Sequence, residues 1–520
     1  MMQDPDSKFV DVQNAFYQWW AQRSEELERD RELSGEEDDE ESEEREVEGV
    51  GYQIFKRWEY INEPRVLADG KLQPPGYLKN KYDQYMSQYD GTSSASGNWT
   101  IVGPTAYPTN NTGQPTGMGR INAIAFHPTV ANTIYIGSPS GGFWKTTNPN
   151  GNSTIWTNLC NNLPSLGVSS ILINPNDPNI IYLGTGDRDG GDAPGVGVYK
   201  TTDGGLTWSN INTGMGNVTV GAMLMHPADP NIIIAATSSG IYKTTNGGSS
   251  WSLKISGNFK DLKFKPGDPL IVYAVRIVTP SEFYRSADNG NTWTKITSIP
   301  SSGIGSRMVI GVTPANPLYV YLVQCKSDNT FSNLLRSTDN GLNFSAMASS
   351  PPNILSSNCT GTGTTTQATY DLCIAVDPTN ANTLYVGGVD VWKSTDGGAN
   401  WTIKAYWASG CSGAATIHAD HHVFEWNSSN LYDGHDGGIS YSSDGGNNWT
   451  EITGALPITQ IYKIGQGASN VNYCTFGCQD NGSAATLNGS TFYTTRGGDG
   501  METLIDYTNS NYCYNTYVNG

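Results

Sequence analysis

Residues Ser394–Trp401 read STDGGANW, and the same eight-residue pattern returns five more times. The copies are Thr201–Trp208 (TTDGGLTW), Thr244–Trp251 (TTNGGSSW), Ser286–Trp293 (SADNGNTW), Ser337–Phe344 (STDNGLNF) and Ser442–Trp449 (SSDGGNNW). Their third positions, Asp203, Asn246, Asp288, Asp339, Asp396 and Asp444, are separated by 43, 42, 51, 57 and 48 residues. A period of about 40–50 residues with four short strands per unit marks a β-propeller. At position three a side-chain oxygen accepts backbone N–H bonds from its own turn, and the glycine at position five supplies a positive φ. The closing ring buries itself between neighbouring blades. Six near-identical copies give Asp203, Asn246, Asp288, Asp339, Asp396 and Asp444 a structural duty. Trp208, Trp251, Trp293, Phe344, Trp401 and Trp449 share it, and the five tryptophans are expected to be largely buried.

Outward from these turns, each blade shows an apolar strand, a Pro-containing turn and a second strand. Examples are Ile121–Ile136, Ser170–Leu183, Ala222–Ala235 and Cys373–Val386. With 60 Gly and only 15% charged residues in 520, the chain reads as all-β and exceeds what one core serves. A degenerate turn at 144–156 marks a first blade, and the six turns mark blades two to seven. Residues 99–457 therefore read as a β-propeller of about seven four-stranded blades. Further blades at 458–520 read as the truncated start of a second propeller. Residues 1–98 differ. Phe9, Val12, Phe16, Trp19 and Trp20 recur at helical spacing. Glu25–Glu48 becomes a dense acidic run, read as a solvated linker. Tyr52, Phe55, Trp58 and Ile61 predict a second short helix ending before Pro64, and Gly91–Gly97 reads as a hinge.

A net charge of −19 and a pI near 4.6 repel phosphate backbones, which argues against a nucleic-acid partner. No apolar run approaches the roughly 20 residues of a membrane span. Met1–Ser7 is polar and no leader, but eight Cys, abundant Asn, Thr and Ser, and few Lys point to an extracellular or bacterial cell-surface chain whose leader has been removed. If Cys474–Cys478 is extended, its two cysteines lie about 13 Å apart, too far for a disulfide. Cys359 and Cys373, flanking a Gly/Thr-rich loop, are the better local pair, with free thiols the alternative.

The six turns resemble the Asp-box, or bacterial neuraminidase repeat, of sialidases, sortilin-like receptors and xyloglucan-active endoglucanases. The resemblance covers about Trp99–Gly520, and Phe55–Val66 (FKRWEYINEPRV) resembles the leader region of large secreted bacterial propeller proteins. It implies the fold more than an activity, since this blade hosts unrelated chemistries. Likeness to sialidases would require an Arg-Ile-Pro motif, but Arg120-Ile121-Asn122 lacks the proline. Likeness to the xyloglucanases would place the general base in a first-blade stretch matched here by Gly137–Gly142, where Pro139 stands at the carboxylate position. Inverting hydrolysis needs two carboxylates, so Asp187 or Asp189 of the next blade would have to substitute.

Three constellations carry candidate chemistry. Asp187, Asp189 and Asp192 sit in one Gly-rich loop, the oxygen-rich spacing that a hard cation such as calcium takes. His418, Asp420 and His422 would share one face of an extended strand, close enough for a zinc or copper ion or for a polar cluster at the channel. Gln479–Gly482, with Asp480, and Arg496–Gly500 read as channel-facing turns. Arg120, His418, Asp420, His422 and Asp480 are the candidate ligand-binding residues. The resulting functional expectation is a binding or scaffold module for extracellular glycans or protein partners, with no catalytic residue. A polysaccharide glycoside hydrolase of xyloglucanase-like type is the alternative.

Overall fold

The repeats fold as consecutive antiparallel sheets in the computed structural model, which describes residues 7–34, 52–74, 76–88, 100–110, 112, 115–160, 163–364 and 366–517. Seven sheets occupy 123–158, 168–210, 220–256, 259–295, 304–346, 373–416 and 421–451. Each has four strands in chain order, and the sixth adds a short parallel fifth. The first strand of every sheet packs against that of the next, and the seventh, His421–Asn427, packs against Ala123–Phe126 to close a ring. These sheets are the blades of a β-propeller. Trp156 seals the closure: its Nε1 donates to the carbonyls of Ile452 (3.3 Å) and Thr453 (2.9 Å). Ile121, Ile134 and Ile136 share a core there with Ile439, Ile452 and Leu456.

The six turns have one geometry. At the first, Thr201 Oγ1 donates to Asp203 Oδ1 (2.6 Å), the Gly205 amide donates to Thr201 Oγ1 (3.0 Å) and the Thr207 amide to Asp203 Oδ1 (2.9 Å). Hydrogen bonds from Thr201 and Thr207 lower the Asp203 carboxyl to about 2. Positive φ is needed at two successive positions, not one: Gly204 and Gly205 at +74° and +100°, and Asn289 and Gly290 at +56° and +75°. Asn is the non-glycine residue that best tolerates this region, which explains why position four holds only Gly or Asn.

The expected burial of the tryptophans holds fully at Trp251 (5% exposed) and only in part elsewhere. Trp208, Trp293, Trp401 and Trp449 are half-buried, because the turn lies on the outer rim where one ring face meets solvent. Trp208 and Trp251 are fixed by Nε1 donation across the blade boundary to Leu159 (2.7 Å) and Ile211 (2.8 Å) carbonyls. Trp251→Ala should therefore destabilise the ring by about 3–5 kcal/mol, and Trp208→Ala by about 2 kcal/mol. Denaturant midpoints of the two variants check this ordering, and equal losses would contradict it.

Outside the ring, a further four-stranded sheet spans 461–496 and a hairpin spans 500–517. Helices α1 (Phe9–Ser34), α2 (Tyr52–Asn62) and α3 (Tyr77–Gln88) precede the ring. Helix α1 runs past Glu25, where the acidic linker was expected to begin, because Glu, Leu and Arg there are good helix formers. The rest of that acidic run and the Gly91–Gly97 hinge lie outside the described residues. Phe9, Val12, Phe55 and Trp58 form a small core between α1 and α2, with Phe16 stacked 3.7 Å from Phe55. Among the described residues no helix is long and apolar enough to cross a membrane.

All eight cysteines are free thiols, and the expected Cys359–Cys373 pairing is not what the fold brings together. Cys373 is buried inside the strand Cys373–Val376, whereas Cys359 lies in hydrogen-bond contact with Cys411. Burial and this neighbour push the Cys411 thiol up to about 12. Mild oxidation should join Cys359 to Cys411, and closing a loop of that length would stabilise by about 4 kcal/mol. Peptide mapping without reductant checks the linkage; a Cys359–Cys373 product would contradict it.

Candidate active site

The innermost strands lose regular pairing near their starts. Register shifts fall between Phe259 and Asp261, between Ile304 and Met308, and between His421 and Val423. Such bulges re-aim a side chain, and here they carry Lys260, Arg307 and His422 to one carboxylate. Asp189 Oδ1 meets Lys260 Nζ (2.6 Å) and Arg307 Nη2 (3.4 Å), while Oδ2 meets His422 Nδ1 (3.2 Å) and Arg188 Nε (3.4 Å). Burial opposes ionisation of Asp189, but Lys260, the His422 contact and Arg188 hold its carboxyl well below the usual range. On the same loop, Asp187 Oδ2 pairs with Arg120 Nη2 (2.6 Å), and Asp192 accepts from Arg120 (3.3 Å) and Gln460 (3.3 Å).

The calcium expectation at Asp187, Asp189 and Asp192 took their charge as open to a bound cation, but Arg120, Lys260 and Arg307 stand beside it. Protein cations compensate that charge. Among the described residues, the group of His, Cys, Asp or Glu with metal-ligand spacing is instead Asp420, Asp436 and Asp480, whose oxygens lie within 4.8 Å of one another. Nor do Asp187 and Asp189, each 1% exposed or less at the side chain and ion-paired, offer a substrate the carboxylate that Pro139 lacks.

His418, Asp420 and His422 do not share one strand face. Asp420 adopts φ +67°, so the extended run begins only at His421. His418 Nε2 approaches the Asp480 carbonyl (3.1 Å), whereas His422 bridges Asp189 and, through Nε2, Asp436 Oδ1 (2.8 Å). Tyr370 donates its hydroxyl to Asp436 Oδ2 (2.6 Å) and receives Gln479 Nε2 (3.1 Å). The Arg120 guanidinium lies 5.0 Å over the Tyr370 ring, and Gln367 donates to Asp420 Oδ1 (2.5 Å). The segment after the ring thus closes over this end of the channel: Asn481 Nδ2 also donates to the Asp436 carbonyl (3.1 Å). The approach is tight, since a Cβ at Gly437 would lie 2.5 Å from that of His418.

The result is four carboxyl groups of unequal character. Burial, with Asp436 nearby, raises the Asp371 carboxyl well above its usual range. Burial acts the same way on Asp436 but is overcome by His422, by Arg120 and by contact with Asp480, which hold it ionised. Both carboxyl oxygens of Asp371 are buried without a hydrogen-bond partner among the described residues. Asp480, like Asp420, adopts a positive φ (+55°), and it alone of the four is half-buried; the others are buried. Sequence reading identified Arg120, His418, Asp420, His422 and Asp480, which the fold does gather at this end of the channel. It missed Lys260, Arg307, Tyr370, Asp371 and Asp436. The crowding of four of six histidines into 418–435 was the available signal.

His422 couples the two clusters to pH. Burial disfavours its charge, yet Asp436 and Asp189 raise its pKa above 6.5. Its stabilisation is therefore full below pH 6.5 and lost as pH rises through the raised value. The melting-temperature gap between wild type and His422→Gln should shrink from pH 6 to pH 9; a constant gap would contradict the pairing.

No family model matches the chain. Among characterised proteins it is similar to a xyloglucanase of a Paenibacillus species, 28% identical over 309 residues, covering 52% of this chain and 28% of that protein. It is also similar to xyloglucanase Xgh74A of Acetivibrio thermocellus, 23% identical over 269 residues, covering 46% and 27%. The chain thus spans little more than a quarter of these relatives. Among solved structures it resembles an ancestral GH74 enzyme (TM-score 0.55, 18% identity, 77% of this chain and 58% of that one). The GH74 xyloglucanase of Xanthomonas campestris gives 0.53, 15%, 76% and 63%. At such identities the structural likeness shows the propeller fold alone. These comparisons correct the expectation of a binding or scaffold module without catalysis: the sequence relatives are enzymes, and the hydrolase alternative is the reading they favour.

Proposed function

We propose that the chain is a glycoside hydrolase acting on a polysaccharide outside the cell, of the xyloglucanase-like kind. The observation that carries this reading is the gathering of Asp420, Asp436 and Asp480, whose carboxylate oxygens lie within 4.8 Å of one another, beside Asp371, with burial pushing the Asp371 carboxyl up while His422 and Arg120 hold that of Asp436 down. Groups whose surroundings push their proton affinities apart are suited to acid and base roles. Asp480, in contact with Asp436 and half-buried where the other three are buried, is the acid that protonates the leaving oxygen in this reading. Asp420, whose carboxylate oxygen lies within 4.8 Å of one on Asp480, is the second carboxylate. Both stand on positive-φ backbone at strand ends, where strain and function often coincide. Departure from the xyloglucanase pattern at Pro139 is met by drawing both carboxylates from the last blade and the sheet beyond it.

Product sizing after incubation with xyloglucan, mixed-linkage β-glucan and glucuronate-bearing polysaccharides tests this reading. Shortened chains are expected from wild type, with turnover reduced about 10²–10⁴-fold in Asp420→Asn. Unchanged polymer length throughout, with correctly folded protein, would overturn it.

A further inference from the structure

Beside Asp189 lies a cavity of about 120 Å³ that the carboxylate cluster does not use, lined by Arg188, Lys260 and Arg307 with Thr219, Ser306 and Thr369. Its lining holds three cations against one carboxylate. The next acid on the Lys260 strand, Asp261, accepts the Ile310 amide (2.8 Å), and His422 faces Asp189 from the channel. Lys260 and Arg307 both meet the same oxygen of Asp189. Arg307 Nε and Nη1 are buried without a hydrogen-bond partner among the described residues, on a side chain only 5% exposed. Burial and the neighbouring Arg307 bring the Lys260 ammonium down to about 7, the mark of positive charge crowded out of water. Arg188, 17% exposed, is the most open of the three cations.

We propose that this pocket binds the carboxylate of a uronic acid, so that the polysaccharide substrate is acidic; the inference rests on the hydrolase reading above. Nη2 of Arg307 is taken by Asp189 and the Leu372 carbonyl, and Nε and Nη1 lie on different edges of the guanidinium, so Arg307 and Lys260 meet a carboxylate as single charged donors. The hydroxyls of Thr219, Ser306 and Thr369 suit a sugar ring. One imidazole, that of His422, separates Asp189 from Asp436.

Isothermal titration at pH 6 with D-glucuronate, D-galacturonate, D-glucose, acetate and inorganic phosphate tests the pocket. At least one uronate should bind saturably and at least tenfold more tightly than glucose, acetate or phosphate. Arg307→Gln should weaken it at least tenfold. Thr219→Val, which leaves every ion pair in place, should weaken it severalfold and serves if the arginine variant fails to fold. No saturable uronate heat, or phosphate or acetate bound as tightly as the uronates, would overturn the proposal, the latter showing an adventitious ion only. Cleavage of neutral polysaccharide without uronate binding would remove this inference and leave the hydrolase reading; uronate binding without any hydrolysis would support the pocket and remove that reading.

Discussion

Arg120→Met should lower the stability of the ring by about 3–5 kcal/mol, among the largest losses for any single substitution in the chain. Asp187 is fully buried, and its Oδ2 lies 2.6 Å from Arg120 Nη2. Asn122 Nδ2 reaches Asp187 Oδ1 at 3.3 Å, and the amides of Asp189 and Asp192 complete its shell, so the carboxylate cannot escape to water. Removing the guanidinium strands a charge in low dielectric. Removing both charges should be far milder, because desolvation offsets much of a buried pair's attraction. Arg120→Met combined with Asp187→Asn is therefore expected to recover most of the loss in urea unfolding. A single-variant loss below about 1 kcal/mol would show that the pair is not buried as described.

The second large effect concerns Asp436, which positions protons and is itself buried from substrate. Asp436→Asn removes the partner of His422 Nε2 and the acceptor facing Asp480. Turnover should fall about 10³-fold with KM little changed, and the basic limb of the pH profile should move to lower pH as the general acid loses an ionised carboxylate beside it. A purely structural role would lower the amount of folded enzyme without moving that limb. Rates and profiles measured together separate the two.

The propeller was legible because its signal is periodic: six turns of one chemistry at near-constant spacing define a blade without any long-range information. The second positive-φ position is visible in the Gly-or-Asn choice at Gly204 and Asn289. Rim exposure of Trp208 and Trp401 was not legible, since composition reports a ring's affinity for burial and not which strand is outermost. The site failed differently. Asp187, Asp189 and Asp192 look like a cation loop when read locally, because the cations that answer them come from Arg120, Lys260 and Arg307 on other blades. Lys260, Arg307 and His422 reach the channel through bulges, and a bulge leaves no mark on alternation. Asp436 sits in His435-Asp-Gly-Gly438, which reads as an ordinary hairpin turn. Only the fold places it against Tyr370 and His422.

The most direct test of the account is the release of reducing ends from xyloglucan and from a glucuronate-bearing polysaccharide by wild type and Asp480→Asn at equal folded concentration. The account predicts steady release from at least one polymer by wild type, reduced about 10²–10⁴-fold by the substitution. Release that is undiminished in Asp480→Asn, or absent from both polymers with folded wild type, would contradict it.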